Sequence, residues 1–125
     1  MKKIYGILLM AVIAVALSGC DENDRYDSLL GRWERVALRI DGYESSIRSG
    51  EWEQYIFFED GTGIYSNDYE SYDLYWDTYN HDRIHIRYSD GMVDDLYYEV
   101  HGNTLELSPT TSFRDASIYR YTGSY

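Results

Sequence analysis

Short segments whose side chains alternate between two faces recur along the chain, and this pattern constrains the fold more than any other feature. The clearest segment runs from residue 51 to residue 59, where Trp52, Ile56 and Phe58 share one face. Asp60-Gly61 follows as a tight-turn signal, and similar signals recur about every eight to twelve residues. Alternation with a period of two is typical of half-buried β-strands. The sequence therefore predicts an all-β domain.

Eight such segments are found, and short connections join them. They lie at residues 32–40, 51–59, 62–65, 73–79, 84–88, 96–100, 105–107 and 116–121. Residues 43–50 are polar and are expected to form a loop. Strands joined by short connections pair as neighbours, so we expect an antiparallel meander of eight strands. Such a meander can pack as a sandwich or close into a barrel, and closure leaves no free edge.

The predicted strands each have an apolar face that should point inward. In the first strand, Val36, Leu38 and Ile40 share that face, opposite Arg35 and Ala37. The expected inward set, as core or as cavity wall, is Trp33, Trp52, Ile56, Phe58, Trp76, Ile84, Ile86 and Leu105.

Seven tyrosines are assigned to polar faces or loops: Tyr69, Tyr72, Tyr75, Tyr79, Tyr97, Tyr119 and Tyr125. Their rings could stack on sugars or form a protein-binding patch. Alternatively, they pair across strands and stabilise the sheet.

The first 19 residues have the layout of a signal peptide. Lys2 and Lys3 precede an apolar run from Ile4 to Leu17. A membrane-spanning helix needs roughly 20 apolar residues, and this run is shorter. We therefore expect residues 1–19 to form a signal-peptide helix, residues 20–27 an acidic tether, and residues 28–125 the β domain.

Leu17-Ser18-Gly19-Cys20 resembles the lipobox of bacterial lipoproteins. The resemblance implies cleavage between Gly19 and Cys20, a diacylglyceryl thioether on Cys20, and acylation of the new amine. Two or more acyl chains hold a protein stably on a membrane, whereas one does not. Cys20 is the chain's single cysteine, and no cofactor other than this covalent lipid is expected.

The acidic residues Asp21 to Asp24 leave the location of the anchor open. They resemble the surface-export signal of Bacteroidota lipoproteins, which implies the outer membrane with surface exposure. In enterobacterial sorting, an aspartate directly after the cysteine implies retention at the inner membrane instead. We favour the outer membrane of the cell envelope, because the domain downstream resembles Bacteroidota proteins.

Leu30-Gly31-Arg32-Trp33 resembles the Gly-x-Trp signature of lipocalins. In that family the tryptophan packs against an arginine of the last strand, and Arg120 is at the matching position. Residues 55–63 and 100–107 are similar to hairpins of small lipocalin-like lipoproteins from Bacteroidota. The resemblance implies a lipocalin-like β-barrel closed at Gly31, Trp33 and Arg120.

The charge balance argues against two classes of partner. Without residues 1–19, nine arginines face 22 acidic residues. Nucleic acids and anionic lipid surfaces both favour basic proteins, so neither is an expected partner for this domain. We expect a monomer that is attached to the membrane through its lipid.

No residue constellation in the sequence favours catalysis. The neighbouring carboxylates Glu59-Asp60 and Asp94-Asp95 should point to opposite faces of a strand, so they cannot act on one substrate. His81 and His85 are spaced for a helix rather than a strand, and no metal site is expected. We predict a non-enzymatic domain that binds a small apolar or glycan ligand, or an envelope protein. The alternative is an accessory subunit with a filled barrel and a tyrosine-rich interaction surface.

Overall fold

The computed structural model describes residues 28–124, and antiparallel strands account for most of these residues. The expected signal-peptide helix and acidic tether lie outside the described residues. The strands are β1 (Gly31–Ile40), β2 (Tyr43–Ser46), β3 (Glu53–Phe57), β4 (Thr62–Asn67), β5 (Ser71–Tyr79), β6 (Arg83–Tyr88), β7 (Val93–His101), β8 (Thr104–Ser108) and β9 (Ala116–Gly123).

These strands form a closed antiparallel barrel with meander order. Each strand from β3 to β8 pairs with the next, and β9 pairs with β1 to close the sheet. β1 pairs with β3 through Gly31–Glu34 and with β2 through Ala37–Ile40. β2 and β3 therefore share one place in the wall, which makes the barrel eight-stranded. The predicted all-β, eight-stranded meander is confirmed, and it is consistent with a lipocalin-like barrel.

β2 lies within residues 43–50, where the sequence pattern predicts a loop. All four of its side chains are exposed, so no apolar alternation marks it as a strand. Its backbone pairs with the second half of β1, from Ala37 to Ile40, beyond the part that β3 covers. Backbone hydrogen bonding along an otherwise free strand edge explains this strand, and side-chain patterning does not reveal it.

The core fills the half of the barrel in which β1 begins, called here the closed end. Its buried cluster comprises Leu29, Trp33, Tyr55, Phe57, Leu74, Trp76, Ile84, Ile86, Tyr98, Leu105, Leu107 and Tyr119. Five residues of the expected inward set belong to this cluster: Trp33, Trp76, Ile84, Ile86 and Leu105. In β5 and β6, buried residues alternate with exposed or half-buried ones, as their sequences predict.

The prediction that Trp52, Ile56 and Phe58 form the inward face of β3 is wrong. Tyr55 and Phe57 are 4% and 0% exposed, whereas Ile56 and the flanking Trp52 and Phe58 are only half-buried. Both faces of this segment carry aromatic residues, so apolarity alone does not distinguish them. The buried face is the one that carries Glu53, since this carboxylate finds polar partners inside the barrel.

β1 shows this reversal only in its first half. Arg35, expected on the polar face, lies on the inner side with its guanidinium paired to Glu53. The β1–β9 register shifts at Val36, which is half-buried, and the two faces of β1 exchange at this bulge. Beyond it, Leu38 and Ile40 are on the inner side as expected, although Ile40 is 64% exposed at the end of the barrel.

The closed end is sealed by Gly31, Trp33 and Tyr121, and Arg120 is not part of the seal. Trp33 is 1% exposed and packs edge-on against the Tyr121 ring, with 5.3 Å between centroids. Arg120 is opposite Glu34 in the β1–β9 register and is exposed. Opposed residues of an antiparallel pair share a face, so Arg120 points away from Trp33. The contact implied by the lipocalin resemblance is replaced by an aromatic pair.

Gly31 is needed where the chain enters the barrel. Its φ of 117° is unfavourable for residues with a Cβ, and a Cβ at this position would lie 2.6 Å from Cε1 of Tyr121. Glycine therefore allows the Tyr121 ring to approach the backbone and cover Trp33.

Candidate functional site

A cavity of about 580 Å³ opens at the end of the barrel opposite Trp33, called here the open end. Its wall comes from the last residues of β1, β4, β6 and β8 and from the first residues of β3, β5, β7 and β9. Six of the residues expected as core or cavity wall do not line it: Trp52, Ile56, Phe58, Trp76, Ile84 and Ile86. The barrel is therefore filled at one end and hollow at the other.

Four tyrosines separate the cavity from the core and are called here the tyrosine floor: Tyr55, Tyr65, Tyr88 and Tyr119. Tyr55 is at the centre of this group, with its ring centroid 5.1 Å from Tyr65 and 5.6 Å from Tyr119. On its other side it stacks on Phe57 at 5.4 Å, which belongs to the core. The floor is thus held rigidly by ring packing from below.

Glu53 ties the tyrosine floor to β1. Its Oε1 atom accepts a 2.6 Å ion-paired contact from Nη2 of Arg35 and a 2.9 Å hydrogen bond from Tyr119. Its Oε2 atom accepts a hydrogen bond of 2.8 Å from Tyr65. Arg35 also donates to the carbonyl of Glu51 at 3.1 Å. These contacts explain why a strand can turn a glutamate into the barrel.

A second hydrogen-bonded chain runs from the floor to Asp94. The Tyr88 hydroxyl donates to Oδ2 of Asp94 at 2.8 Å, and the Tyr55 hydroxyl lies 2.6 Å from the Tyr88 oxygen. Because Tyr88 uses its proton toward Asp94, Tyr55 is the donor to Tyr88. Asp94 is on the inward face of β7, opposite Ile86, and lines the cavity.

Burial keeps the floor hydroxyls protonated. Loss of solvent raises the pKa of Tyr65 to about 12. Burial raises the pKa values of Tyr55, Tyr88 and Tyr119 as well, and the neighbouring carboxylates act in the same direction. At neutral pH all four hydroxyls therefore act as hydrogen-bond donors rather than as phenolates.

The cavity wall carries more negative than positive charge. Its acidic residues are Glu53, Glu70, Asp90, Asp94 and Asp115, and its basic residues are Arg35 and Arg39. Arg39 is held by carboxylates outside the cavity lining, at 2.8 Å from Glu106 and 3.0 Å from Glu44. The electrostatic potential inside the cavity is therefore negative.

Apolar side chains complete the wall near the mouth. Leu96 and Leu107 lie within the barrel, while Ile40 and Met92 are both 64% exposed at the rim. A cavity with aromatic floor, aliphatic wall and a few oriented polar groups is the usual composition of a small-molecule site.

The tyrosines assigned to polar faces fall into different environments. Tyr69, Tyr75 and Tyr79 are exposed. Tyr97 is half-buried, with the Arg83 guanidinium 4.1 Å from its ring centroid. Tyr119 was expected on a polar face, yet it is 2% exposed and belongs to the floor.

The two remaining tyrosines of the predicted set are Tyr72 and Tyr125. Tyr72 is half-buried and lines the cavity, and Tyr125 lies outside the described residues. Cys20 and Gly19 lie outside them too. The floor tyrosines Tyr55, Tyr65 and Tyr88 are not among the residues predicted for a site. The sequence signals for two of them are the shared face of Tyr55 with Phe57 and the shared face of Tyr88 with Ile84 and Ile86.

The carboxylates and histidines considered for chemistry are dispersed. Asp95 points outward, where it accepts hydrogen bonds from Tyr79 and Arg83, so it lies on the face opposite its neighbour Asp94. Within residues 28–124, no three His, Cys, Asp or Glu side chains are grouped as metal ligands.

Comparison of the chain with protein-family models, curated proteins and solved structures finds no match. In the part of the chain that the structure describes, no helix has the length and apolar character needed to cross a membrane.

Proposed function

We propose that this chain is a lipid-anchored envelope lipoprotein whose lipocalin-like barrel binds a small ligand without catalysing a reaction. The cavity at the open end carries this proposal. Its volume of about 580 Å³ falls within the roughly 300–1,000 Å³ of ligand pockets. The tyrosine floor is fixed from below by the core, so the site is formed before a ligand arrives.

The direction of the chain supports access to this cavity from outside. β1 begins at the closed end, directly after the described residues 28–30, so a tether that leads back to Cys20 leaves from that end. A lipid on Cys20 would place the closed end toward the membrane and the mouth away from it. We propose the outer membrane as the site of the anchor.

A second candidate is an accessory subunit that binds an envelope protein through exposed aromatic and aliphatic side chains. Tyr43 and Tyr69 are 84% and 82% exposed, and Ile40 and Met92 stand at the rim of the open end. These residues favour a contact surface. The filled barrel of that alternative is less well supported, because half of the barrel is hollow.

Binding in the cavity is tested by titrating the full chain, in lipid nanodiscs, with the neutral apolar dye Nile red. Leu96 lies on the cavity wall, so Leu96→Trp should fill the space and weaken dye binding at least tenfold relative to the unaltered chain. Val93→Trp is the matched control, because Val93 is 48% exposed on the same strand; it should bind as the unaltered chain does. Thermal unfolding of each variant checks that it is folded. Equal dye binding by a folded Leu96→Trp variant would contradict the proposal.

The lipid anchor is tested separately. Cys20→Ser removes the thiol that would carry the diacylglyceryl group, so the protein should leave the membrane fraction and lose labelling by a palmitate analogue. Asp21→Asn keeps the thiol and should remain labelled and membrane-bound. Unchanged fractionation and labelling of Cys20→Ser would rule out this anchor.

A further inference from the structure

We propose that the cavity selects small organic cations, namely primary amines attached to an apolar body of about the size of one aromatic ring. This inference rests on the proposed ligand-binding function and names the chemical class of the ligand.

Both arginines of the cavity are already neutralised by protein carboxylates. Arg35 is paired with Glu53, and Arg39 is paired with Glu106 and Glu44. An anionic ligand would have to displace one of these carboxylates. The cavity therefore offers no free cationic partner from these two side chains.

The other carboxylates of the wall have no such partner. Within residues 28–124, no arginine, lysine or histidine forms an ion pair with the acidic side chains that remain on the wall, which are Glu70, Asp90, Asp94 and Asp115. Their summed field attracts a positive group into a confined space with apolar walls. A cation that enters gains this attraction, and a neutral molecule of equal shape does not.

Asp94 is the carboxylate best placed to meet the cation. It is half-buried on the inward face of β7, and Tyr88 fixes its Oδ2 atom. Its Oδ1 atom receives no hydrogen bond from any residue in the described range. A primary ammonium has three donors and matches this acceptor. The Tyr88 hydroxyl holds the carboxylate in place, so little ordering is needed on binding.

The surroundings of Asp94 fit the rest of an amine ligand. The floor and Tyr72 supply aromatic rings, whose faces attract cations, and Leu96 and Leu107 supply aliphatic surface for an apolar body. Because the floor hydroxyls stay protonated at neutral pH, they add no negative charge that would trap an inorganic cation instead.

Three probes that share a phenylethyl body and differ in the charge of their end group test the inference. The full chain in lipid nanodiscs is titrated by calorimetry with 2-phenylethylamine, 2-phenylethanol and 3-phenylpropionate, with protein-free nanodiscs as the blank. We expect the amine to bind at least tenfold more tightly than the alcohol, and the carboxylate more weakly than both. Equal affinity for the three probes would overturn the inference.

Two neighbouring substitutions identify the carboxylate. Asp94→Asn should weaken amine binding about tenfold and weaken alcohol binding much less, which is the expected signature of a lost charge rather than of lost fold. Asp95→Asn is the matched control, since Asp95 points outward on the same strand; it should leave both affinities unchanged. An Asp94→Asn variant that keeps the full preference for the amine would overturn the assignment.

The Nile red titration separates failure of this inference from failure of the proposed function. If the dye binds in the cavity and the amine has no advantage, the cavity is a ligand site of another class. If neither the dye nor any of the three probes binds, the ligand-binding function fails together with the inference.

Discussion

Replacing Trp33 with alanine is expected to lower the free energy of unfolding by about 3–5 kcal/mol. The indole is 1% exposed and seals the closed end against Tyr121. Its Nε1 atom donates a 2.9 Å hydrogen bond to the carbonyl of Leu29, which is fully buried. Alanine would leave both a void and a buried carbonyl without its donor. Urea unfolding followed by circular dichroism measures the loss.

Trp52→Ala provides the matched comparison, because the same atoms are removed from a half-buried position. We expect a loss of about 1–2 kcal/mol there, in keeping with partial burial. Trp33→Phe, which keeps a ring but removes the donor, should fall between the two. Equal losses for Trp33→Ala and Trp52→Ala would contradict the faces that the structure assigns to these strands.

The part of the fold that could be predicted from sequence is the part in which one face is apolar and the other polar. In β5, Leu74 and Trp76 alternate with Asp73, Tyr75 and Asp77, and the structure buries only the first two. β6 behaves in the same way with Ile84 and Ile86. In these two strands, burial of the one apolar face determines which side chains point inward, and the sequence of the strand alone is enough to predict it.

The inward faces of β3 and of the first half of β1 could not be predicted, because a polar network overrides apolar patterning there. Pointing Glu53 inward would be costly for an isolated strand. It becomes favourable only when Arg35 and the hydroxyls of Tyr65 and Tyr119 converge on one carboxylate. These partners are up to 66 residues away in sequence, so single-strand alternation carries no sign of them.

The tyrosine lining of the candidate site could not be predicted for a similar reason. Tyrosine is compatible with both faces of a strand, since its ring can pack while its hydroxyl finds a partner. The sequence places Trp52, Phe58 and Trp76 in the core or the cavity wall. The structure buries only Trp76 in the core, leaves Trp52 and Phe58 half-buried, and lines the cavity with tyrosine. Tyr65 could be placed only once its pairing with Tyr55 across β3 and β4 was known.

Glu53→Gln is the second substitution for which we expect a large effect. The side chains of Arg35 and Glu53 are only 14% and 22% exposed, so removing the negative charge leaves the guanidinium in a poorly solvated place without its counterion. We expect the free energy of unfolding to fall by about 2–3 kcal/mol, below the cost for a fully buried pair because some solvent reaches both groups. Denaturant unfolding at neutral pH measures it.

A double variant separates the ion pair from the hydrogen bonds of Glu53. In Arg35→Met with Glu53→Gln, no charge is left unpaired, and the amide oxygen still accepts from one tyrosine hydroxyl. The double variant should therefore lose less stability than the sum of its two single variants. Asp95→Asn, which breaks the exposed pair with Arg83, should cause a much smaller loss than Glu53→Gln. Strictly additive losses would mean that the charge pair does not hold β3 in its inward orientation, and the aromatic packing of Tyr55 and Phe57 would then have to account for it.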